Sequence, residues 1–276
     1  MRLAVPLLTL ALASALAIPG WGRATAASLR IESRAVGDGA PTVVLQSGLG
    51  DGLSVWQAVQ QRLPGTLSSI AYDRPGYGRS EPVYGDRSPC TIATELHEML
   101  LRSGRRPPYV LAGHSLGGLY QAAYAQLYPD DVAGLVLLEP THPEHWATLQ
   151  REVPMLAWTI RLARNGFGAA MRREFDDQAA CNDRLAALPM PDVPVRLLVR
   201  ERYAGLEAGA FEDAMRRLQA DWAARLRTTV ERMPGSGHYV QRDRPDAVVE
   251  AITAVAVAAM ARSQAVRTDT PATVSQ

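Results

Sequence analysis

The chain has no lysine: its 29 basic residues are all arginine, set against 28 acidic ones. So close a balance provides no broad basic field, which excludes a charge-driven nucleic-acid binder and a protein held by charge to an anionic membrane surface. Cysteine is nearly missing as well. Cys90 and Cys181 stand alone, in no Cys-x-x-Cys pair and no Cys/His cluster. That excludes the familiar zinc and redox motifs, and neither thiol lies beside a motif that would make it a nucleophile. In an oxidising compartment the pair has two options, one disulfide or two buried thiols. No internal repeat or coiled-coil pattern is present, so a structural protein of the cell envelope has no signal in its favour.

Long apolar runs are missing except at the start. Residues 3–18 are apolar apart from Thr9 and Ser14, follow Arg2, and lead to the small residues Ala24-Thr25-Ala26. The run is shorter than the ~20 residues needed to span a bilayer, and Pro6 and Pro19 interrupt or flank it. The order is that of a secretory signal peptide over 1–26. The expectation is an exported chain, periplasmic or secreted, with no membrane span after cleavage. The Ala/Val-rich stretch near the end is broken by Glu250 and reads as a packing helix.

What is present is an alternation of short aliphatic runs with longer helical patterns. Strands are expected at 29–36, 42–46, 67–72, 109–112, 134–138, 193–199 and 228–232. Helices are expected at 91–103, 116–128, 211–226 and 245–261. Such alternation predicts an α/β fold, a mostly parallel central sheet with helices on both faces. Residues 143–191 break the rhythm with helical fragments rich in Arg, Trp and Met. They are expected to form a small helical lid inserted before the penultimate strand, above the strand ends where such sheets bind ligands. One domain over 27–262 and a polar, disordered tail over 263–276 complete the organisation.

The chemistry centres on Gly113-His114-Ser115-Leu116-Gly117. A Gly-x-Ser-x-Gly pentapeptide alone is weak, but here an apolar strand enters it and an amphipathic helix leaves it. That is the setting of a nucleophile elbow, whose strained turn leaves no room for bulk two residues either side of the serine. The alternative is that Ser115 merely caps the helix. Two further loops follow predicted strands: Gln46-Ser47-Gly48-Leu49-Gly50, and Tyr72-Asp73-Arg74-Pro75-Gly76-Tyr77-Gly78-Arg79-Ser80.

With these motifs in this order, from residue 29 to 261, the chain resembles the α/β-hydrolase superfamily in its exported serine hydrolase and esterase branch. Ser47 stands where that family commonly has His. The resemblance implies Ser115 as nucleophile and the backbone N–H groups of Leu49 and Leu116 as the oxyanion hole. It implies no metal and no organic cofactor. Asp73 precedes the nucleophile and is expected to hold the Arg74-Pro75-Gly76 turn.

A serine hydroxyl needs a base. Of five histidines, His238 in Ser236-Gly237-His238-Tyr239 follows the last strand and resembles the family's histidine loop. His97 reads as packing, His114 as pointing away, and His142 and His145 as lining a pocket mouth. The acid stays open between Glu139, after the apolar run 134–138, and Glu201, after 193–199, with Asp213 a further option. The expected reaction is hydrolysis of a small-molecule carboxylic ester or related acyl bond. The alternatives are an aminopeptidase or amidase on the same triad and a non-catalytic exported binding protein. Serine at the elbow argues against the haloalkane dehalogenase and epoxide hydrolase branches, which use Asp there. Trp146, Met155, Trp158, Phe167 and Met171 either build an apolar acyl pocket or pack the lid on the core. Arg161, Arg164, Arg172 and Arg173 either bind an acidic group or face water.

Overall fold

The aliphatic runs form β1 (Ser33–Val36), β2 (Thr42–Gln46), β3 (Ser68–Tyr72), β4 (Tyr109–His114), β5 (Val132–Leu138), β6 (Val195–Arg200) and β7 (Val230–Met233). The computed structural model describes residues 29–268, so the leader expected over 1–26 lies outside the described residues. The strands build one sheet in the order β1-β3-β2-β4-β5-β6-β7. β1 is antiparallel to β3, and every other pairing is parallel. Parallel neighbours need crossover connections, which place helices over both faces and bury the strands from both sides. Every residue of β2, β3 and β4 is accordingly buried.

The helices, in chain order, are α1 (Gln57–Gln60), α2 (Pro89–Arg102), α3 (Leu116–Leu127), α4 (His145–Glu152), α5 (Pro154–Ala163), α6 (Ala169–Asp177), α7 (Asn182–Ala186), α8 (Ala210–Arg225), α9 (Val240–Asp243) and α10 (Pro245–Thr268). Side chains alternate between the two sheet faces with the period of two that a strand imposes. Val44, Leu111, Leu135 and Leu197 pack under α2, α3 and α8. Val43, Val110, Val136 and Leu198 pack under α10 and the turn around Trp56 and Val59. α2 begins at Pro89, two residues before the expected start, because Ser88 Oγ accepts a hydrogen bond from Thr91 N at 3.3 Å and proline suits the first helical position.

Between β5 and β6, α4 to α7 occupy the expected insertion. Leu149 and Ala157 from it bury against Phe211, Ala214 and Met215 of α8, each large side chain contributing about 1.5–3 kcal/mol. Cys90 at the start of α2 and Cys181 before α7 form a disulfide with a Cα–Cα distance of 6.2 Å, tying the insertion to the body. Residues 263–268, expected in the tail, are helical, and 269–276 lie outside the described residues. Residues 263–268 continue α10, since they contain no glycine or proline, and Arg262 pairs with Asp192 at 2.8 Å. Among the described residues no helix is long and apolar enough to cross a membrane.

The disulfide spans 91 residues, and closing so long a loop in the unfolded chain is worth about 2–4 kcal/mol. The double variant Cys90→Ser, Cys181→Ser is expected to lose that much stability in urea titration, and an unchanged midpoint would count against it.

Candidate active site

The sheet presents the carboxyl ends of β2, β4 and β5 side by side, and the site is built there. β4 runs directly into α3, and Ser115 at the junction has φ 54° and ψ −124°. A left-handed backbone at a non-glycine residue costs on the order of 1–3 kcal/mol. Three backbone hydrogen bonds, each worth about 1 kcal/mol, hold it: Ser115 N donates to Leu138 O, and both Gly118 N and Thr141 N donate to Ser115 O, each at 2.9 Å. A Cβ on Gly113 would meet Gly117 O at 2.5 Å, and one on Gly117 would collide with Gln46 O. The two glycines are therefore required by contact. The Ser115 side chain makes no capping hydrogen bond to α3; it lines a cavity instead, which removes the helix-cap reading.

That cavity is about 310 Å³ and is lined by Ser115, Leu49, Leu116, Glu139 and His238 together. Leu116 is the first residue of α3, where a helix amide has no intrahelical acceptor. Leu49 belongs to the loop after β2. Ser47 Oγ shapes that loop by donating to Gly52 O at 2.9 Å while accepting from Trp56 Nε1 at 3.1 Å. Asp73 reaches farther than expected. It accepts from Leu53 N at 2.7 Å and Arg79 N at 3.4 Å, so it joins the loop after β2 to the one after β3.

The sequence profile of the alpha/beta hydrolase family matches residues 43–251, well over half of the chain, and the matched span contains every one of these residues. The chain belongs to the alpha/beta hydrolase family. YbdG of Bacillus subtilis is 29% identical over 133 residues, 48% of this chain and 39% of that protein. RutD of Klebsiella pneumoniae, whose name assigns it provisionally to carbamate hydrolysis, is 37% identical over 112 residues, 40% of each chain. The chain thus spans about two fifths of the length of these relatives. An esterase from Thermogutta terrifontis superposes with a TM-score of 0.57 at 20% identity, covering 84% of this chain and 94% of its own, a likeness of fold.

In this alpha/beta hydrolase His238 sits between β7 and α9. Its loop is pinned by Gly237 N donating to Asp243 Oδ2 at 2.7 Å and by Gly235 N donating to Glu201 Oε2 at 2.7 Å. His114 does not point away. Its Nε2 donates to His238 O at 2.8 Å, and the two rings lie 4.8 Å apart edge to face. Burial, with His114, Arg200 and His145 as neighbours, holds the His238 imidazole well below its ordinary value, so it is unprotonated at neutral pH. Its Nδ1 is buried without a hydrogen-bond partner.

Of the three candidate acids, only Glu139 lines the same cavity as Ser115 and His238. It is buried, has φ 48°, and accepts hydrogen bonds from Arg200 N at 2.9 Å and Arg200 Nε at 2.6 Å. Burial pushes its carboxyl up and Arg200 opposes that push. Glu201 and Asp213 are exposed. His142 and His145 do line the cavity, although His142 Nε2 is engaged with Asp221 at 2.7 Å. His97 stacks on Tyr128 at 4.0 Å, a packing role.

The apolar wall differs from expectation. Trp146 lines the cavity, joined by Leu149, Ile160 and Phe175 from the insertion and by Phe211 and Met215 from α8. Met155 and Trp158 are 74% and 61% exposed, on the outer face of α5. Phe167 packs edge to face on Phe175 at 5.9 Å, and Met171 lies near Gly50. Helical spacing alone gave no sign of which stripe faces inward, and α8 is remote in sequence. The arginines are spent within the insertion or face water: Arg164 pairs with Asp176, Arg172 donates to Phe167 O at 3.1 Å, Arg173 lies over the Tyr84 ring, and Arg161 is exposed. Among the described residues no group of three or more His, Cys, Asp or Glu is placed to hold a metal ion.

His114 is pushed down from 6.5 to about 4, mainly by burial. The unfolded chain takes up a proton there below pH 6.5 while the folded chain does not until about 4, so stability falls as the pH drops through that window. His114 contributes up to roughly 3 kcal/mol to the fall. Urea midpoints between pH 7.5 and 4.5 are expected to drop steeply in the wild type and less in His114→Gln. Parallel curves for the two would remove His114 from the account.

Proposed function

We propose that this alpha/beta hydrolase is an exported serine hydrolase that cleaves a carboxylic ester through a covalent acyl-enzyme. The observation that carries the proposal is the single cavity shared by a left-handed, uncapped Ser115, a neutral His238 and the loop residues Leu49 and Leu116. His238 takes the Ser115 Oγ proton as the oxygen attacks the ester carbonyl. The N–H groups of Leu49 and Leu116 stabilise the tetrahedral oxyanion, each donor being worth on the order of 3 kcal/mol. The imidazolium then protonates the leaving alkoxide, the C–O bond breaks, and the alcohol departs. Water, deprotonated by His238, attacks the acyl-enzyme, and collapse of the second tetrahedral intermediate returns the proton to Ser115 and frees the carboxylic acid.

We assign Glu139 as the acid of the triad: it lines the cavity with His238, and turning one carboxylate oxygen from Arg200 to the unpartnered His238 Nδ1 would orient the imidazole. Ser115 and Glu139, together with Arg227, are the described non-glycine residues with positive φ, and strain of that kind concentrates at functional sites. Glu201 is engaged by Gly235 N instead. The ester reading is favoured over an aminopeptidase because most of the lining is apolar and the two carboxylates that reach the cavity, Glu139 and Glu207, are both engaged by Arg200, which leaves no unpaired carboxylate for a substrate ammonium. Serine chemistry on carbonyls is consistent with RutD, a relative named for carbamate hydrolysis. Export rests on the leader at 1–26 and is consistent with the disulfide, a bond favoured in oxidising compartments.

A fluorophosphonate probe is expected to label the wild type and not Ser115→Ala; absent or Ser115-independent labelling in folded protein would falsify the serine mechanism. Against p-nitrophenyl esters of graded chain length and aminoacyl anilides, turnover of the esters and not the anilides is expected. Glu139→Gln is expected to lower kcat by about 10³–10⁴-fold, the scale for losing a triad acid, with Glu201→Gln close to wild type. The reverse order would transfer the role to Glu201. Because the His238 imidazole is held below 6.5, the acid limb of kcat/KM is expected to have its midpoint below pH 6.5, and a midpoint at or above that value would contradict the placement.

A further inference from the structure

Glu174 lies on α6 of the insertion and is fully buried, a costly place for a carboxylate. Arg74, in the turn after β3, meets it with a two-pronged contact: Nε donates to Oε1 at 2.9 Å and Nη2 to Oε2 at 2.8 Å. The same guanidinium also donates from Nη1 to Ser47 O and from Nη2 to Gly48 O, the latter at 2.9 Å. Tyr77 Oη donates to Glu174 Oε2 at 2.8 Å and accepts from Gly50 N at 3.4 Å. Arg87 Nη2 approaches Glu174 Oε1 at 3.5 Å and is itself neutralised by Glu95 at 2.6 Å. Thus one buried carboxylate from the insertion anchors groups that grip the loop on both sides of Leu49.

The consequence follows from peptide geometry. In a planar trans peptide the carbonyl oxygen and the amide hydrogen point in opposite directions. Arg74 holds Gly48 O, so the N–H of Leu49, in the same peptide plane, is turned away from Arg74. A guanidinium presents its donors in a rigid planar fork, which fixes direction as well as distance. Without Glu174, the fork would lose the acceptor that sets its own orientation.

We propose that Glu174 is a positioning residue which, through Arg74 and Tyr77, aims the Leu49 N–H at the oxyanion, so that the helical insertion completes the catalytic machinery as well as walling the substrate cavity. This rests on the reading of Leu49 as an oxyanion donor and Ser115 as nucleophile. A role confined to holding the insertion in place would change stability. A role in aiming the donor changes transition-state binding at nearly constant substrate binding.

The test uses the full mature chain and three variants: Arg74→Lys, Glu174→Gln and Tyr77→Phe. Each is characterised by circular dichroism, by kcat and KM for a p-nitrophenyl ester, and by inhibition with a trifluoromethyl ketone, which forms an oxyanion adduct on serine. Arg74→Lys keeps the charge pair but loses the fork, and its kcat is expected to fall about 10²-fold, with the inhibitor constant rising in parallel and KM within about threefold. Glu174→Gln and Tyr77→Phe are expected to lose about tenfold in the same two readouts. Tyr77→Phe retains every charge, so it remains informative even where the other two unfold. The proposal is overturned by folded variants with kcat and inhibitor constants within about twofold of wild type, or by losses that appear only in thermal midpoint or KM. A wild type unreactive to fluorophosphonate overturns the serine mechanism itself, and this proposal with it, and is seen before any variant is made.

Discussion

The close approach of β4, α3 and β2 at Ser115 constrains everything around it. Backbone from Gln46, Gly113 and Gly117 occupies the space that side chains would take. The chain can turn from strand to helix there only by forcing Ser115 into a left-handed conformation. That strain is offset by the three backbone hydrogen bonds that hold it, two of which tie Ser115 to residues flanking Glu139 at the end of β5. The proposed nucleophile and the proposed acid are therefore fixed by one piece of backbone, and the sheet register sets their separation before any side chain is considered.

Electrostatics then shapes the chamber. Two ion pairs are buried, Glu139 with Arg200 and Glu174 with Arg74. Each costs desolvation that a hydrocarbon pair would avoid, and removing one partner of such a pair typically costs about 3–5 kcal/mol. What the charges supply is direction. Arg200 fixes the Glu139 carboxylate through both backbone and side-chain donors, and Arg74 fixes two carbonyls of the loop after β2. Arg200 also pairs with Glu207, so both carboxylates that line the chamber are met by its guanidinium.

The insertion is a structural partner of the body. It is joined through the disulfide, through Glu174, and through apolar contacts with α8. Its inner face supplies Trp146, Leu149, Ile160 and Phe175 to the cavity, while Met155 and Trp158 remain on the outside. The side chains that bound the cavity thus come from elements far apart in sequence, which is why composition of the segment alone left open which of its apolar residues face inward.

Much of the fold was legible because its signals are local. Aliphatic runs bounded by turn residues marked all seven strands, and β2 fell where expected, because a strand buried on both faces must be continuously apolar. The elbow was legible for the same reason: steric exclusion at Gly113 and Gly117 acts within five residues, so it is written as a motif. His238 could be placed by its position after the last strand. The role of His114, the loyalty of Glu139 to Arg200, and the whole Arg74–Glu174 arrangement left no such trace. Each depends on which side chains meet across 60 to 125 residues of chain, and a buried charge is indistinguishable in sequence from one facing water. The sequence by itself determined that a serine would stand strained above a parallel sheet. Only the tertiary structure decided which charges would be buried beside it, since burial is a property of the packed whole.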